Sequence, residues 1–283
     1  MVTSGSVPIS GGHIAWHRTG GPGPALVLSH GLSDNGLCWS RFVALLPRTL
    51  DVVMLDARGH GGSSRFVADA PFDPARDMAE AMDGLGIQSA VIMGHSVGAL
   101  TSARFAATYP DRTRAVIPED PPLLPPPSPD EIAERHTRFA EQMHILQALS
   151  DAEIVARGRA QSPGWYDDEF PAWLLGKRQV DPAVRFGLDL SWQEVLAAIR
   201  APTLLIHGER RHGAMVDDEA AGIAARINPQ IHPLCVAGAG HNVRRENLAD
   251  FAAAVNAFLT AEFPEIAARQ FGGEQHGRHA VCG

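Results

Sequence analysis

A serine, a histidine and a carboxylate in this chain can combine into a nucleophilic centre. The serine stands in Gly94-His95-Ser96-Val97-Gly98, between the apolar run Val91-Ile92-Met93 and a small-residue stretch of helical character. A serine hydroxyl is a weak nucleophile and needs a base. A histidine takes its proton near neutral pH and returns it to the leaving group. A carboxylate must hold that histidine in the right tautomer. Two N–H groups must meet the charge that develops on the attacked oxygen. The G-x-S-x-G spacing suits a sharp strand-to-helix turn. Gly94 and Gly98 remove side chains where neighbouring segments pack close. Ser96 is then lifted clear of the sheet edge, and the N–H of Val97 opens a helix, where negative charge is favoured.

The surrounding pattern predicts the elements that carry these groups. Residues 7–18 read as two edge strands turning at Gly11-Gly12. Apolar runs at Ala25–Ser29, Asp51–Leu55, Ser89–Met93, Thr113–Ile117, Pro202–Ile206 and Ile231–Val236 read as strands covered on both faces. Helices are expected over about 38–46, 74–85, 97–108, 217–227 and 245–259. Such alternation predicts an α/β class chain, a mostly parallel sheet with helices on both faces. In such sheets the site lies at the carboxyl ends of the strands. His30-Gly31, Asp56, Ser96, Asp120 and His241 all fall at or just after strand ends.

The rhythm changes after Asp120-Pro121-Pro122. Residues 121–195 show helical patterns, strongest over 130–148, broken by loops at Ser162-Pro163-Gly164 and Phe170-Pro171, with no clear strand. This stretch reads as a helical cap inserted into a core domain of residues 1–120 and 196–263. Residues 264–283, rich in Gly and His, read as a flexible tail. His276 and His279 lie there without a metal-binding partner of fixed spacing, so no metal is expected.

Composition narrows the function classes. Of 283 residues, 45% are apolar and 20% charged, as expected of a globular protein, and the formal net charge is −8. A nucleic-acid partner would call for a basic face, so none is expected. No uncharged apolar run reaches the roughly 18 residues of a membrane span, and no signal peptide is evident. Cys38, Cys235 and Cys282 are distant and odd in number, which predicts unpaired thiols in a reducing, cytoplasmic setting, with Cys235 in the core.

Taken together, His30-Gly31, Asp56-Ala57-Arg58-Gly59-His60-Gly61, Gly94-His95-Ser96-Val97-Gly98 and Gly240-His241 resemble the α/β-hydrolase fold family over residues 7 to 260. The resemblance implies an eight-stranded sheet with flanking helices, Ser96 as nucleophile and His241 as general base. It also implies an oxyanion hole from the N–H groups of Leu32 and Val97. Asp56 and Arg58 look like the family's structural turn, and His30, His60 and His95 like supports for loops. Many relatives carry the triad aspartate three residues after the glycine matching Gly208, where this chain has Arg211. Arginine cannot hold an imidazolium. A subset of the family, zearalenone-type lactonases and some haloalkane dehalogenases among it, carries the acid after the preceding strand. Asp120 falls on that position. Glu119 is the alternative acid, followed by Glu209, Asp217 and Asp218; Asp120 could also simply be a turn residue before Pro121.

A serine at the elbow, where dehalogenases and epoxide hydrolases of this fold carry an aspartate, implies acyl transfer and so cleavage of a carboxylic ester or lactone. The alternatives are a C–C bond hydrolase of a ring-cleavage diketone and a ligand receptor of the same fold with little turnover. Phe139, Met143, Trp165 and Trp173 are candidates for an apolar substrate pocket in the cap, although each could instead pack the cap on the sheet. Arg135, His136 and Arg138 could meet a substrate carboxylate, although their helical context equally suits a solvated face. The expected partner is a small-molecule ester or lactone, and no cofactor is implied.

Overall fold

A computed structural model describes residues 2–67, 72–185 and 191–266. The chain begins with an antiparallel hairpin, β1 (Thr3–Ile9) and β2 (Gly12–Arg18), followed by β3 (Ala25–Ser29). A 3-10 turn at Gly36–Trp39 runs into the short α1 (Ser40–Val43), where the sequence predicts one helix over 38–46. Then come β4 (Asp51–Leu55), α2 (Pro74–Gly84), β5 (Ala90–His95), α3 (Val97–Thr108) and β6 (Thr113–Glu119). Helices α4 (Pro129–Gln147), α5 (Asp151–Gln161), α6 (Phe170–Gln179) and α7 (Trp192–Ala198) follow, with no strand among the described residues between β6 and β7. The chain closes with β7 (Thr203–His207), α8 (Asp218–Ile227), β8 (Ile231–Cys235), α9 (Val243–Glu246) and α10 (Leu248–Glu262).

The strands form one eight-stranded sheet in the order β1-β2-β4-β3-β5-β6-β7-β8. β2 pairs antiparallel with β1 and β4, and every pairing from β4 through β8 is parallel. Side-chain alternation explains the apolar runs. Leu26, Leu28, Val52, Met54, Val91 and Met93 point to the face covered by Trp39, Phe42 and the α10 residues Phe251, Val255 and Leu259. Val27, Val53 and Ile92 point to the opposite face, against Met78 and Met82 of α2 and Phe105 of α3. A strand buried on both faces has no polar position to alternate with, so it reads as a continuous apolar word.

Several local expectations are corrected. Phe170-Pro171, predicted as a loop, opens α6, because a proline in the first turn gives up an N–H that has no helical acceptor. The helix expected over 245–259 is two helices. They part at Asn247, whose side chain accepts from the N–H of Asp250. Cys235, expected in the core, is exposed: β8 is an edge strand, and of its five residues Ile231 alone is buried. Cys38 is buried, and burial, offset in part by Arg244, pushes its thiol up to about 12. Cys282, His276, His279 and most of the expected tail lie outside the described residues. Among the described residues no helix is long and apolar enough to cross a membrane.

Candidate active site

Strand β5 ends at His95 and helix α3 begins at Val97, so Ser96 alone makes the turn, at φ 55° and ψ −121°. The two glycines permit it. A Cβ on Gly94 would lie 2.2 Å from the carbonyl oxygen of Gly98, and one on Gly98 would lie 2.4 Å from the carbonyl oxygens of Ser29 and His30. The Ser96 N–H donates to the Glu119 carbonyl on the neighbouring strand, 2.9 Å away. That bond ties the turn to the sheet edge.

Three predicted residues from distant parts of the chain meet here. The Nε2 of His241 lies 3.1 Å from Ser96 Oγ, and its Nδ1 lies 2.6 Å from Asp120 Oδ2. Asp120 is fully buried immediately after β6. Its Oδ2 also accepts from the N–H of Met215 at 2.8 Å, and its Oδ1 from the N–H of Val216 at 3.0 Å. These donors fix the carboxylate in place, and nothing in the sequence pattern marks them. The His241 carbonyl in turn accepts from His95 Nε2 at 2.9 Å, which anchors the loop carrying His241.

The other candidate acids are engaged elsewhere. Glu119 is buried and accepts from the backbone N–H and Nη1 of Arg244, at 3.0 and 3.1 Å. Burial raises its pKa, and Arg244 opposes that shift. Glu209 accepts from Arg211 and from the Gly238 N–H, both at 2.7 Å. Asp217 caps α8 through the Ala220 N–H, and Asp218 sits exposed in the same first turn. Arg211 is exposed.

The two backbone donors expected near the oxyanion, Leu32 and Val97, line one cavity together with Ser96. The Gly31–Leu32 peptide is fixed from its other side. Its carbonyl faces His30 Nδ1 at 2.8 Å and accepts from the Asp34 N–H at 3.1 Å. A trans peptide points its N–H opposite to its C=O, so these bonds also set the direction of the Leu32 N–H. His30 Nε2 accepts from the Ala57 N–H at 3.0 Å, which makes Nδ1 the donor. Burial lowers the pKa of His30, consistent with a neutral ring. Asp56 accepts from the N–H groups of Gly36 and Gly62, and Arg58 forks onto Asp77 while donating to the carbonyls of Ser10 and Gly11. Both hold loops. His60 sets its ring nitrogens 3.0 Å from the Arg58 carbonyl and 2.6 Å from the Leu32 carbonyl.

The cavity in front of Ser96 measures about 290 Å³. Phe139, Met143, Trp165 and Trp173 do not line it. Phe139 and Met143 pack with Val180 and Val184. Trp165 and Trp173 pack with Ile154 and Phe170 and cover two buried cations: Arg245 lies 4.5 Å from the Trp165 ring and Lys177 4.8 Å from the Trp173 ring. Helical spacing signals an apolar face but not which surface that face meets. The apolar wall comes instead from residues such as Leu100, Leu124, Val184 and Met215. Arg135 does reach the cavity, whereas Arg138 pairs with Glu134 on the surface.

A cluster of buried charges lies beyond the base. Arg244 and Arg245, both in α9, are 1% exposed, and Arg245 bonds Asp34 and Glu169. Neither arginine was singled out from the sequence, where a charged pair in a short helix looks like surface. Among the described residues one trio could present metal ligands: His207, Asp218 and Cys235 place one donor atom each within 4.8 Å of one another. Asp218 and Cys235 are exposed.

Comparison with known proteins identifies the fold. The profile of the alpha/beta hydrolase fold matches residues 24–138. N-formylmaleamate deformylase of Pseudomonas putida is 27% identical, over 92% of this chain and 97% of its own length. Among solved structures, E-2-(acetamidomethylene)succinate hydrolase superposes with a TM-score of 0.76 at 21% identity, covering 92% of this chain and 99% of the other. The enol-lactonase of Burkholderia xenovorans gives 0.71 at 24% identity, covering 90% and 100%. The chain has the α/β-hydrolase fold, and its relatives are diverse hydrolases.

Proposed function

From an α/β-hydrolase fold with this strand-end geometry, we propose a serine hydrolase that cleaves a small carboxylic ester or lactone through an acyl-enzyme. The observation that carries the reading is the hydrogen-bond chain from Ser96 through His241 to Asp120, at 3.1 and 2.6 Å. Ser96 Oγ attacks the acyl carbon while His241 Nε2 takes its proton. Asp120 keeps the proton on Nδ1 and stabilises the imidazolium that forms. The N–H groups of Leu32 and Val97 receive the oxyanion. His241 then protonates the leaving oxygen, and water attacks the acyl-enzyme by the same route. Helices α4 to α7 serve in this reading as a cap over the cavity.

A second reading, cleavage of an N-acyl bond, is favoured by the relatives: one is a deformylase and another acts on an acetamido compound. The same residues would serve, with an amine as the leaving group. Acid release in a pH-stat from short, long and aryl esters and lactones, together with fluorescamine detection of the amine freed from N-acyl amines, tests both, since a freed amine takes up the proton that the new acid gives. We expect turnover that disappears in Ser96→Ala, and the preferred substrate names the bond. Equal rates in the variant and the wild type would overturn the nucleophile. No turnover of any of these substrates would overturn the hydrolase reading.

A further inference from the structure

The wall of the cavity carries four arginines, Arg58, Arg104, Arg135 and Arg185, and, among the described residues, no aspartate or glutamate. This is unexpected in a chain of formal charge −8. Two of the four are neutralised within the protein. Arg58 forks onto Asp77 at 2.8 Å, and Arg104 bonds Asp73 at 3.2 Å. Arg135, in α4, and Arg185, which follows α6, are half-buried, and neither forms a salt bridge among the described residues; Arg135 feels the exposed Glu131 one turn earlier, whose carboxylate is bonded to the Ser128 N–H. Elsewhere in the protein the half-buried arginines Arg18 and Arg112 are paired with Asp51 and Asp83.

We infer that Arg135 and Arg185 form a carboxylate-binding subsite, so that the substrate is a small organic acid carrying the scissile acyl bond at one end and a free carboxylate at the other. The inference rests on the proposed reaction for the role of Ser96, but not for the existence of the subsite. A guanidinium presents its N–H donors as a planar fork that matches a carboxylate. Leu100, Leu124, Val184 and Met215 line the same cavity, and a charge pair inside a partly apolar cavity is less screened than at an open surface. The division of labour follows the chain. Ser96 and the oxyanion donors come from strand ends, whereas both arginines come from the stretch between β6 and β7. A cavity of about 290 Å³ has room for a short acid rather than a long acyl chain.

Two measurements test this. The first compares monomethyl succinate, glutarate and adipate with methyl butyrate, valerate and hexanoate, pairs matched in length except that a carboxylate replaces a methyl. We expect kcat/KM in the wild type to favour at least one monoester by roughly tenfold or more, the scale of a charge-assisted bond. That ratio should collapse in Arg135→Gln and Arg185→Gln. Loss of folded protein scales both rates alike and cannot by itself change the ratio, so the ratio reads the folded fraction alone. An equal preference in the wild type, or a ratio unmoved in both variants, overturns the subsite. The second measurement is independent of turnover: calorimetric titration of monomethyl glutarate and of inorganic phosphate into Ser96→Ala, with and without the arginine substitutions. Binding of the monoester that weakens in the Gln variants supports the subsite even if no ester is hydrolysed. Absent binding, equal binding in the variants, or tighter binding of phosphate overturns it.

Discussion

Ser96 and Asp120 are the two non-glycine residues, among those described, that adopt a left-handed φ, 55° and 43°. They are also neighbours in register. His95 of β5 pairs directly with Glu119 of β6, so each of the two follows its strand by one residue at the same edge of the sheet. Side chains leaving strands in this sense turn outward across the edge instead of into a face. The arrangement costs about 1–3 kcal/mol per residue, a cost that persists only where the surroundings enforce it.

Removing the Cβ at position 96 should therefore separate stability from chemistry. Ser96→Ala and Ser96→Gly both lose the hydroxyl that meets His241 at 3.1 Å. The alanine keeps the strained Cβ and the glycine does not. Strain relief of about 1–2 kcal/mol outweighs the roughly 0.5–1 kcal/mol entropic cost of glycine. Urea unfolding should show the glycine variant more stable than the alanine variant by about 1 kcal/mol, with neither active. A glycine variant less stable than the alanine variant would show that the backbone at Ser96 is unstrained.

The two adjacent carboxylates predict opposite phenotypes. Asparagine tolerates the left-handed backbone of position 120, so Asp120→Asn should fold. Its amide cannot hold the Nδ1 proton of His241 as a carboxylate does, and the ring can adopt the wrong tautomer. We expect kcat to fall by roughly 10³–10⁴ with a small loss of stability. Glu119→Gln instead leaves the buried guanidinium of Arg244 short of a countercharge. That variant should lose about 3 kcal/mol of stability while kcat changes by less than about tenfold, since Glu119 does not touch the His241 ring. Steady-state rates and chemical unfolding on both variants check the pair, and the reverse pattern would make Glu119 the acid.

The contrast between these residues also shows what the sequence could reveal. The sheet was legible because strands buried on both faces leave unbroken apolar runs such as Leu26-Val27-Leu28. Ser96 was legible because its backbone needs Gly94 and Gly98 at fixed offsets. Asp120 is legible as a candidate acid because Arg211 stands where many relatives carry the carboxylate and Asp120 falls on the position after the preceding strand. The cavity wall was not legible. Its residues come from loops and helices across the whole chain, from Leu32 to Met215, and share no local spacing. Arg244 and Arg245 escaped notice for a related reason. Their partners Glu119, Asp34 and Glu169 lie between 76 and 211 positions away, and no short window contains a pair.

Acid sensitivity of the fold should come from the buried histidines His95 and His30. His95 is buried, its Nε2 faces the His241 carbonyl, and its Nδ1 has no hydrogen-bond partner. Burial lowers the pKa values of His95 and His30 from 6.5, with Arg244 adding to the effect. The unfolded chain therefore binds more protons than the folded one below about pH 6.5. Stability from these rings is fully present above that pH and is lost as the pH falls towards the folded pKa values, at up to about 1.4 kcal/mol per pH unit for each ring. Thermal melts of the wild type between pH 8 and 5.5 should show this decline. His95→Gln, which cannot titrate, should show a shallower one. Parallel curves for the two proteins would remove His95 from the account.

The final prediction concerns how the helices between β6 and β7 are held. Arg245, four residues after His241, bonds Glu169 at 3.0 Å and both oxygens of Asp34 at 3.0 and 3.2 Å. Glu169 immediately precedes α6, and Asp34 follows β3, so one guanidinium ties the inserted helices to the sheet edge. Lys177 of α6 adds a second tie through the carbonyl and hydroxyl of Ser33, at 2.8 and 2.7 Å. Burial lowers the pKa of Lys177 to about 8, against the pull of Asp34. Arg245→Met removes the partner shared by two buried carboxylates, which should cost about 3–5 kcal/mol in urea unfolding. Asp34 would keep Arg244, 3.8 Å away, whereas Glu169 would lose the partner it bonds. Adding Glu169→Leu should therefore recover part of the loss, because an apolar residue needs no countercharge there. A single variant within about 1 kcal/mol of the wild type would mean that water reaches this cluster and that the ion pairs contribute no more than surface pairs do.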